Sequence, residues 1–105
     1  MQNYRAVVHY HFKKGMEEQG LKFLVNELVN KAPQYGCHHI ELLQDHKDHC
    51  NLIGIATWND IEDARRFQLM WTKKEKEMLH FCTNPPKREF CKLRSTFMEK
   101  AKRVA

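Results

Sequence analysis

Apolar residues fall in six blocks along the chain, and their spacing changes from block to block. Residues 4–12, YRAVVHYHF, are β-branched and aromatic and stop at a Lys-Lys-Gly turn, which predicts a strand. In the next block, GMEEQGLKFLVNELVNKAP, residues Leu21, Leu24, Val25, Leu28 and Ala32 recur at the three- and four-residue steps of a helix. Glu17 and Glu18 occupy its first turn, where the helix dipole favours anions, and Pro33 and Gly36 mark its stop. Residues 37–43 and 50–58 read as two strands of an antiparallel hairpin, with the polar QDHKDH between them. Residues 59–82 predict a second helix, with Ile61, Ala64, Phe67, Trp71 and Met78 on one face. Asn59 is placed to cap it, and Glu62 three residues on completes a box-like start. TNPPKRE breaks the pattern, residues 90–98 read as a last strand, and EKAKRVA, 99–105, is a basic tail. No internal repeat, linker or low-complexity segment interrupts this order.

The order β-α-β-β-α-β defines an α+β, ferredoxin-like unit over residues 1–105, one antiparallel sheet with both helices on one face. The strands do not alternate cleanly. Val7, Ile53 and Ile55 leave apolar side chains on whichever face the helices do not cover. Such a face needs a cover, and the cheapest is a second copy of the same sheet. A homodimer joined sheet face to sheet face is therefore expected.

Length and composition suit one soluble domain with its own core. No apolar run approaches the roughly 20 residues that span a bilayer, and MQNYRAVVHYHF lacks the features of a signal peptide. A cytoplasmic protein with free thiols is the expectation, with no membrane partner. The net charge of +5 comes entirely from residues 53–105, which hold twelve Lys/Arg and seven Asp/Glu; residues 1–52 hold six of each. Mixed Lys/Glu runs of this kind read as a solvated helix face rather than a nucleic-acid surface. Were the sheet an RNA platform, its third strand would carry stacking aromatics, and Ile53 and Ile55 stand there instead.

GCHHIELLQDHKDHC, residues 36–50, concentrates two cysteines and four histidines. If the hairpin turns at His46 and Lys47, Cys37 lies opposite Ala56 and Cys50 opposite Leu43. At about 3.3 Å per residue the two thiols are then roughly 20 Å apart and share neither a metal nor a disulfide. His38 and His39 point to opposite faces. The stretch reads as a histidine-rich hairpin, and no metal site is expected.

APQYGC at the end of the first helix, a hairpin, then ATWNDIEDARRF resembles the antibiotic biosynthesis monooxygenase-like family of dimeric α/β barrels. The elements carrying it are Pro33, Gly36 and Cys37, then Trp58, then Asn59, Asp60, Asp63 and Ala64. The resemblance covers nearly the whole chain in element order. It implies a face-to-face dimer, and a cavity between sheet and helices in each subunit. The cofactor-free oxygenases of this family, which act on polycyclic phenols, place an Asn four residues before this Trp and a Tyr six after it. Gly54 and Ala64 stand at those positions. The haem-degrading members use a first-strand Asn and a Trp–His pair on the second helix. Val8 and His9, and Trp71 and His80, are the nearest counterparts.

Trp58, Phe67 and Trp71 are expected to line the cavity, beside small Gly54 and Ala56. His9 and His11 project from one face of the first strand and are the acid/base candidates, because histidine titrates near neutrality. Arg94, on the same face of the last strand as Lys92, is a candidate to hold an anionic substrate, and His80 near a helix end completes the set. These residues suggest a cofactor-independent monooxygenase-like enzyme acting on an aromatic or polyketide-like substrate. His9 or His11 would remove a phenolic proton. A non-catalytic dimeric ligand-binding or stress-related module on the same fold is the alternative, with haem binding or RNA binding behind it.

Overall fold

The computed structural model describes residues 3–97. Its elements run β1 (Tyr4–His11), α1 (Glu17–Leu24), β2 (Cys37–Gln44), β3 (Asn51–Trp58), α2 (Ile61–Met78) and β4 (Lys87–Lys92). The sheet has the order β2-β3-β1-β4, and every neighbouring pair is antiparallel. This is the α+β ferredoxin-like arrangement that the element order implies.

The first helix departs from a single uniform rod. Glu17–Leu24 is α-helical, Val25–Val29 is a π-helical turn, and Ala32–Tyr35 is a 3-10 turn. The buried residues Leu24, Leu28 and Ala32 explain this. A four-residue repeat drifts about 40° per step around an α-helix, and a wider π turn rotates the stripe back onto the core. The Asn30 N–H donates to the Val25 carbonyl at 3.1 Å, five residues back. Val25, expected in the apolar stripe, is consequently exposed.

Even-numbered residues of β1 and β3 face the helices. Val8, Tyr10 and Phe12 with Leu52 and Trp58 meet Leu24 and Leu28 of the first helix, and Ala64, Phe67, Trp71 and Met78 of α2. The N-cap of α2 is Asp60, whose side chain accepts from the Glu62 N–H at 2.9 Å; Asn59, the expected cap, stands one residue outside.

Two further expectations are corrected. Cys37 faces Trp58 and Leu43 faces Ile53, instead of Ala56 and Cys50. The reason is aspartate chemistry in the loop. Asp45 Oδ2 accepts from the Lys47 and Asp48 N–H groups at 3.1 and 2.7 Å, and Asp48 Oδ1 accepts from Cys50 at 3.0 Å. These side-chain bonds centre the turn on Asp48 rather than on His46 and Lys47. The last strand is Lys87–Lys92 and begins directly after Pro86, so the charged KRE segment read as a break is part of the sheet. Arg94 therefore lies beyond β4, exposed, and shares no strand face with Lys92. The predicted end of that strand at Met98 and the basic tail fall outside the described residues.

The sheet face away from the helices is uncovered in a single chain. Val7 pairs with Ile55 and His9 with Ile53 across its centre, and Leu43 beside Ile53 is 48% exposed. Among the described residues, no helix is long and apolar enough to cross a membrane, and no group of three His, Cys, Asp or Glu is placed to hold a metal ion.

Candidate functional site

Between sheet and helices lies a narrow cavity of about 40 Å³. Its walls include Trp58 at the end of β3, Phe67 and Trp71 one turn apart on α2, and Tyr10 and Ala56 on the strands. The aromatic rings are mutually packed. Trp58 and Phe67 have centroids 5.6 Å apart, and Tyr35 meets Phe67 edge-on at 5.3 Å. Three of the expected binding residues, Trp58, Phe67 and Trp71, are thus brought together.

Several residues that line the cavity carry polar groups. The indole N–H groups of Trp58 and Trp71 are both buried and have no hydrogen-bond partner among the described residues. An unpaired buried donor costs roughly 1–3 kcal/mol, so each is a standing attraction for an acceptor. Arg88 lines the cavity from β4, its side chain 13% exposed and bonded to Glu75 Oε2 of α2 at 2.6 Å. The Tyr10 hydroxyl completes the set. Burial pushes its phenol far above the usual range, against the lowering pull of the Arg88 guanidinium.

Small residues fix the cavity's shape. A Cβ at Gly54 would lie in ordinary contact, 3.5 Å from Leu42 Cδ2 and 3.6 Å from Tyr10 Cε2. Gly54 and Ala64 both line the space, at the positions where the resembling oxygenases carry Asn and Tyr. The present volume admits a few atoms, well below the roughly 300 Å³ of an ordinary ligand pocket. A ring-sized guest needs its walls to shift. Haem does not fit here: the volume is too small, and no histidine is among the lining residues.

The remaining expected residues lie elsewhere. His9 and His11 stand on the uncovered face of the sheet, separated from the aromatic cavity by the strands themselves. Neither can take a proton from a molecule held against Trp58. His80 follows the end of α2, exposed, its N–H donating to the Glu77 carbonyl at 3.2 Å. Arg94 is also exposed, outside the cavity lining. Sequence reasoning missed Tyr10, Arg88 and Glu75. Tyr10 was legible, since it shares the inward parity of Val8; Arg88 was hidden in a segment that reads as a charged loop.

No protein-family profile and no curated protein sequence matches the chain. Solved structures do. The monooxygenase from the gene ActVA-Orf6 of Streptomyces coelicolor, solved with the ligand nanaomycin D, is 15% identical with a TM-score of 0.73 over 93% of each chain. A mutant of SnoaB from Streptomyces nogalater, described as a cofactor-independent oxygenase, is 17% identical with a TM-score of 0.79, over 94% of this chain and 100% of that one. A dimeric ferredoxin-like protein from an uncultured marine organism is 12% identical with a TM-score of 0.74 over 95% of each. The structural neighbours are antibiotic biosynthesis monooxygenase-like proteins, and the chain shares their fold.

Proposed function

We propose that this chain is a dimeric small-molecule-binding protein, and that its ligand is a flat aromatic or polyketide-like compound carrying a carbonyl oxygen. The observation that carries this reading is the pair of buried, unpartnered indole donors lining an apolar, aromatic-walled cavity. A neutral quinone-type carbonyl answers them without bringing a charge into a dry site. ActVA-Orf6, solved with nanaomycin D, supports binding of a small molecule, and the dimeric ferredoxin-like neighbour supports a dimer, for which the uncovered apolar face is the available surface.

The second reading is cofactor-independent oxygenation in the same cavity. A bound phenolate would react with dioxygen, the ring carbon keeping one oxygen as a carbonyl and the other leaving as water. The fold shared with SnoaB and the position of Arg88, whose charge favours a nearby anion, speak for it. Tyr10 speaks against it. This phenol already sits in the cavity wall, and burial there outweighs Arg88 and keeps it protonated. A substrate phenol meets the same environment, and no histidine lines the cavity to take its proton.

Titration with a naphthoquinone, followed by tryptophan fluorescence, tests the first reading. Saturable quenching is expected, weakened roughly 2- to 10-fold in Trp71→Phe by loss of one hydrogen bond. An absence of quenching overturns it. An oxygen electrode with a hydroxylated naphthalene separates the two readings: uptake with quinone formation establishes oxygenation, and binding without uptake excludes it.

A further inference from the structure

A ring-sized guest enters the aromatic cavity only if some wall yields, and the walls are not equally held. The floor is fixed. β1 and β3 are the inner strands of the sheet, each hydrogen-bonded on both sides. The contact between the helices is also firm. Phe23 of α1 stands 6.1 Å from Trp71 and 5.6 Å from Phe81, Tyr35 meets Phe67, and Lys74 of α2 lies 3.7 Å from Glu27. The roomier depression of about 540 Å³ beside His9 and His11 offers no way in, since it lies on the opposite face of the sheet, the one left for a second copy.

The remaining side is the seam between α2 and β4. β4 is an edge strand, paired with β1 alone. Its helix-facing residues at this seam are Arg88, opposite Val8, and Phe90, opposite Ala6. Phe90 lines the cavity and is nonetheless 37% exposed, so the cavity reaches the surface there. Inward from Phe90 the same rung of the sheet runs through Ala6 to Ala56, and both line the cavity. Small side chains thus keep the floor low on the way to Trp58, two residues further along β3. One rung over, the seam is shut. Arg88 Nη2 donates to Glu75 Oε2 of α2 at 2.6 Å, with side chains only 13% and 20% exposed. Among the described residues, no other hydrogen bond or ion pair joins α2 to β4. A charge-assisted bond is strong while made, and rotation of two flexible side chains undoes it.

We propose that this seam is the entrance to the cavity and that the Arg88–Glu75 pair is its latch. When the pair parts, α2 and the edge strand separate, and a flat ring passes Phe90 over Ala6 and Ala56 to the two indoles. Pairing of two copies through the opposite face leaves this side free. The latch presupposes that the cavity is the ligand site, and it governs rates of entry and exit rather than affinity. Glu75 does not line the cavity, so replacing it alters the latch and leaves the walls that a ligand meets.

Acrylamide quenching of tryptophan fluorescence reads the latch without any ligand. Both tryptophans of the chain line the cavity, so the whole signal comes from behind the seam. In folded Glu75→Gln the quenching constant should rise roughly three- to tenfold, the weight of one weakened charge-assisted bond in a local opening. Lys74→Met, which removes the neighbouring charge at the helix–helix contact, should leave it unchanged. In the unaltered protein the two indole N–H groups should exchange with deuterium through a local opening, with little dependence on denaturant. Stopped-flow mixing with a naphthoquinone should show on- and off-rates rising together in Glu75→Gln at a nearly constant Kd. The latch is overturned by unchanged acrylamide quenching in Glu75→Gln, by an equal rise in Lys74→Met, by indole exchange only through global unfolding, or by a change in off-rate alone. Acrylamide and exchange need no quinone, so a naphthoquinone that fails to bind sinks the ligand reading by itself.

Discussion

Gly20 packs beneath the ring of Phe12, and a Cβ added there would lie 2.5 Å from Phe12 Cε1. Alanine in a helix normally gains about 1 kcal/mol over glycine, while overpacking a core costs about 1–3 kcal/mol. Phe12 cannot retreat, being buried and stacked with Tyr10 at 6.3 Å, so the second effect wins. Gly20→Ala should therefore lower stability by roughly 1–2 kcal/mol in urea unfolding, against the helix-propensity trend. The cysteines sort by burial in the same way. Burial pushes the Cys82 thiol above its ordinary 9.0, and Cys91 is exposed. In the native protein at pH 7.5 a thiol reagent should modify Cys91 first and reach Cys82 only on unfolding, as mass spectrometry of digests would reveal. Trp58, Phe67 and Trp71 were legible in the sequence because periodicity alone turns them inward. The Asn51–His11 contact was not, because it joins residues forty apart through a register the sequence misplaced.

Within the elements, electrostatics adds a test with a definite sign. Glu27 of the π turn bonds Lys31 at 2.8 Å and lies 3.7 Å from Lys74 of α2. The hydrogen bond from Lys31 leads in holding its carboxyl below the ordinary 4.5, and the charges of Lys31 and Lys74 add to it. A depressed folded-state value means stability that is present above pH 4.5 and lost as pH falls through the folded value. Glu27→Gln should therefore lower stability slightly at neutral pH, leave it unchanged below the folded value, and so flatten part of the acid limb of a pH–stability curve. Asp60→Ala removes the cap of α2 and should cost about 1 kcal/mol, read as a lowered thermal midpoint. Element order and helix faces were readable from spacing. The π turn was not, because a four-residue repeat is ambiguous between a drifting α-helix and a widened one. The hairpin register was hidden too: side-chain bonds of Asp45 and Asp48 decide it, and the hydrophobic pattern is silent inside the loop.

For the molecule as a whole, the short dimension of 21 Å amounts to one sheet plus one helix layer, about 10 Å each. One copy of the chain therefore leaves the Val7–Ile55 face in water. Light scattering should give twice the 12.6 kDa of the chain at low and high salt alike, since the contact is apolar. Ile55→Lys, which places a charge at the centre of that face, should return the monomer mass; an unchanged dimer would move the interface elsewhere. The need for a cover was visible in the sequence as strands apolar on both sides, although which side held the histidines was not.

Tyr10 borders both the aromatic cavity and the depression on the opposite face of the sheet. Thermodynamic linkage then constrains two events that are otherwise unrelated, filling the cavity and pairing two copies of the chain. If an occupant of the cavity displaces this ring, it changes the free energy of pairing, and the factor is identical in both directions. A four-stranded sheet a single residue thick would in that case behave as a diaphragm, and the affinity for quinone measured at protein concentrations above and below the midpoint of dimer dissociation is its coupling constant.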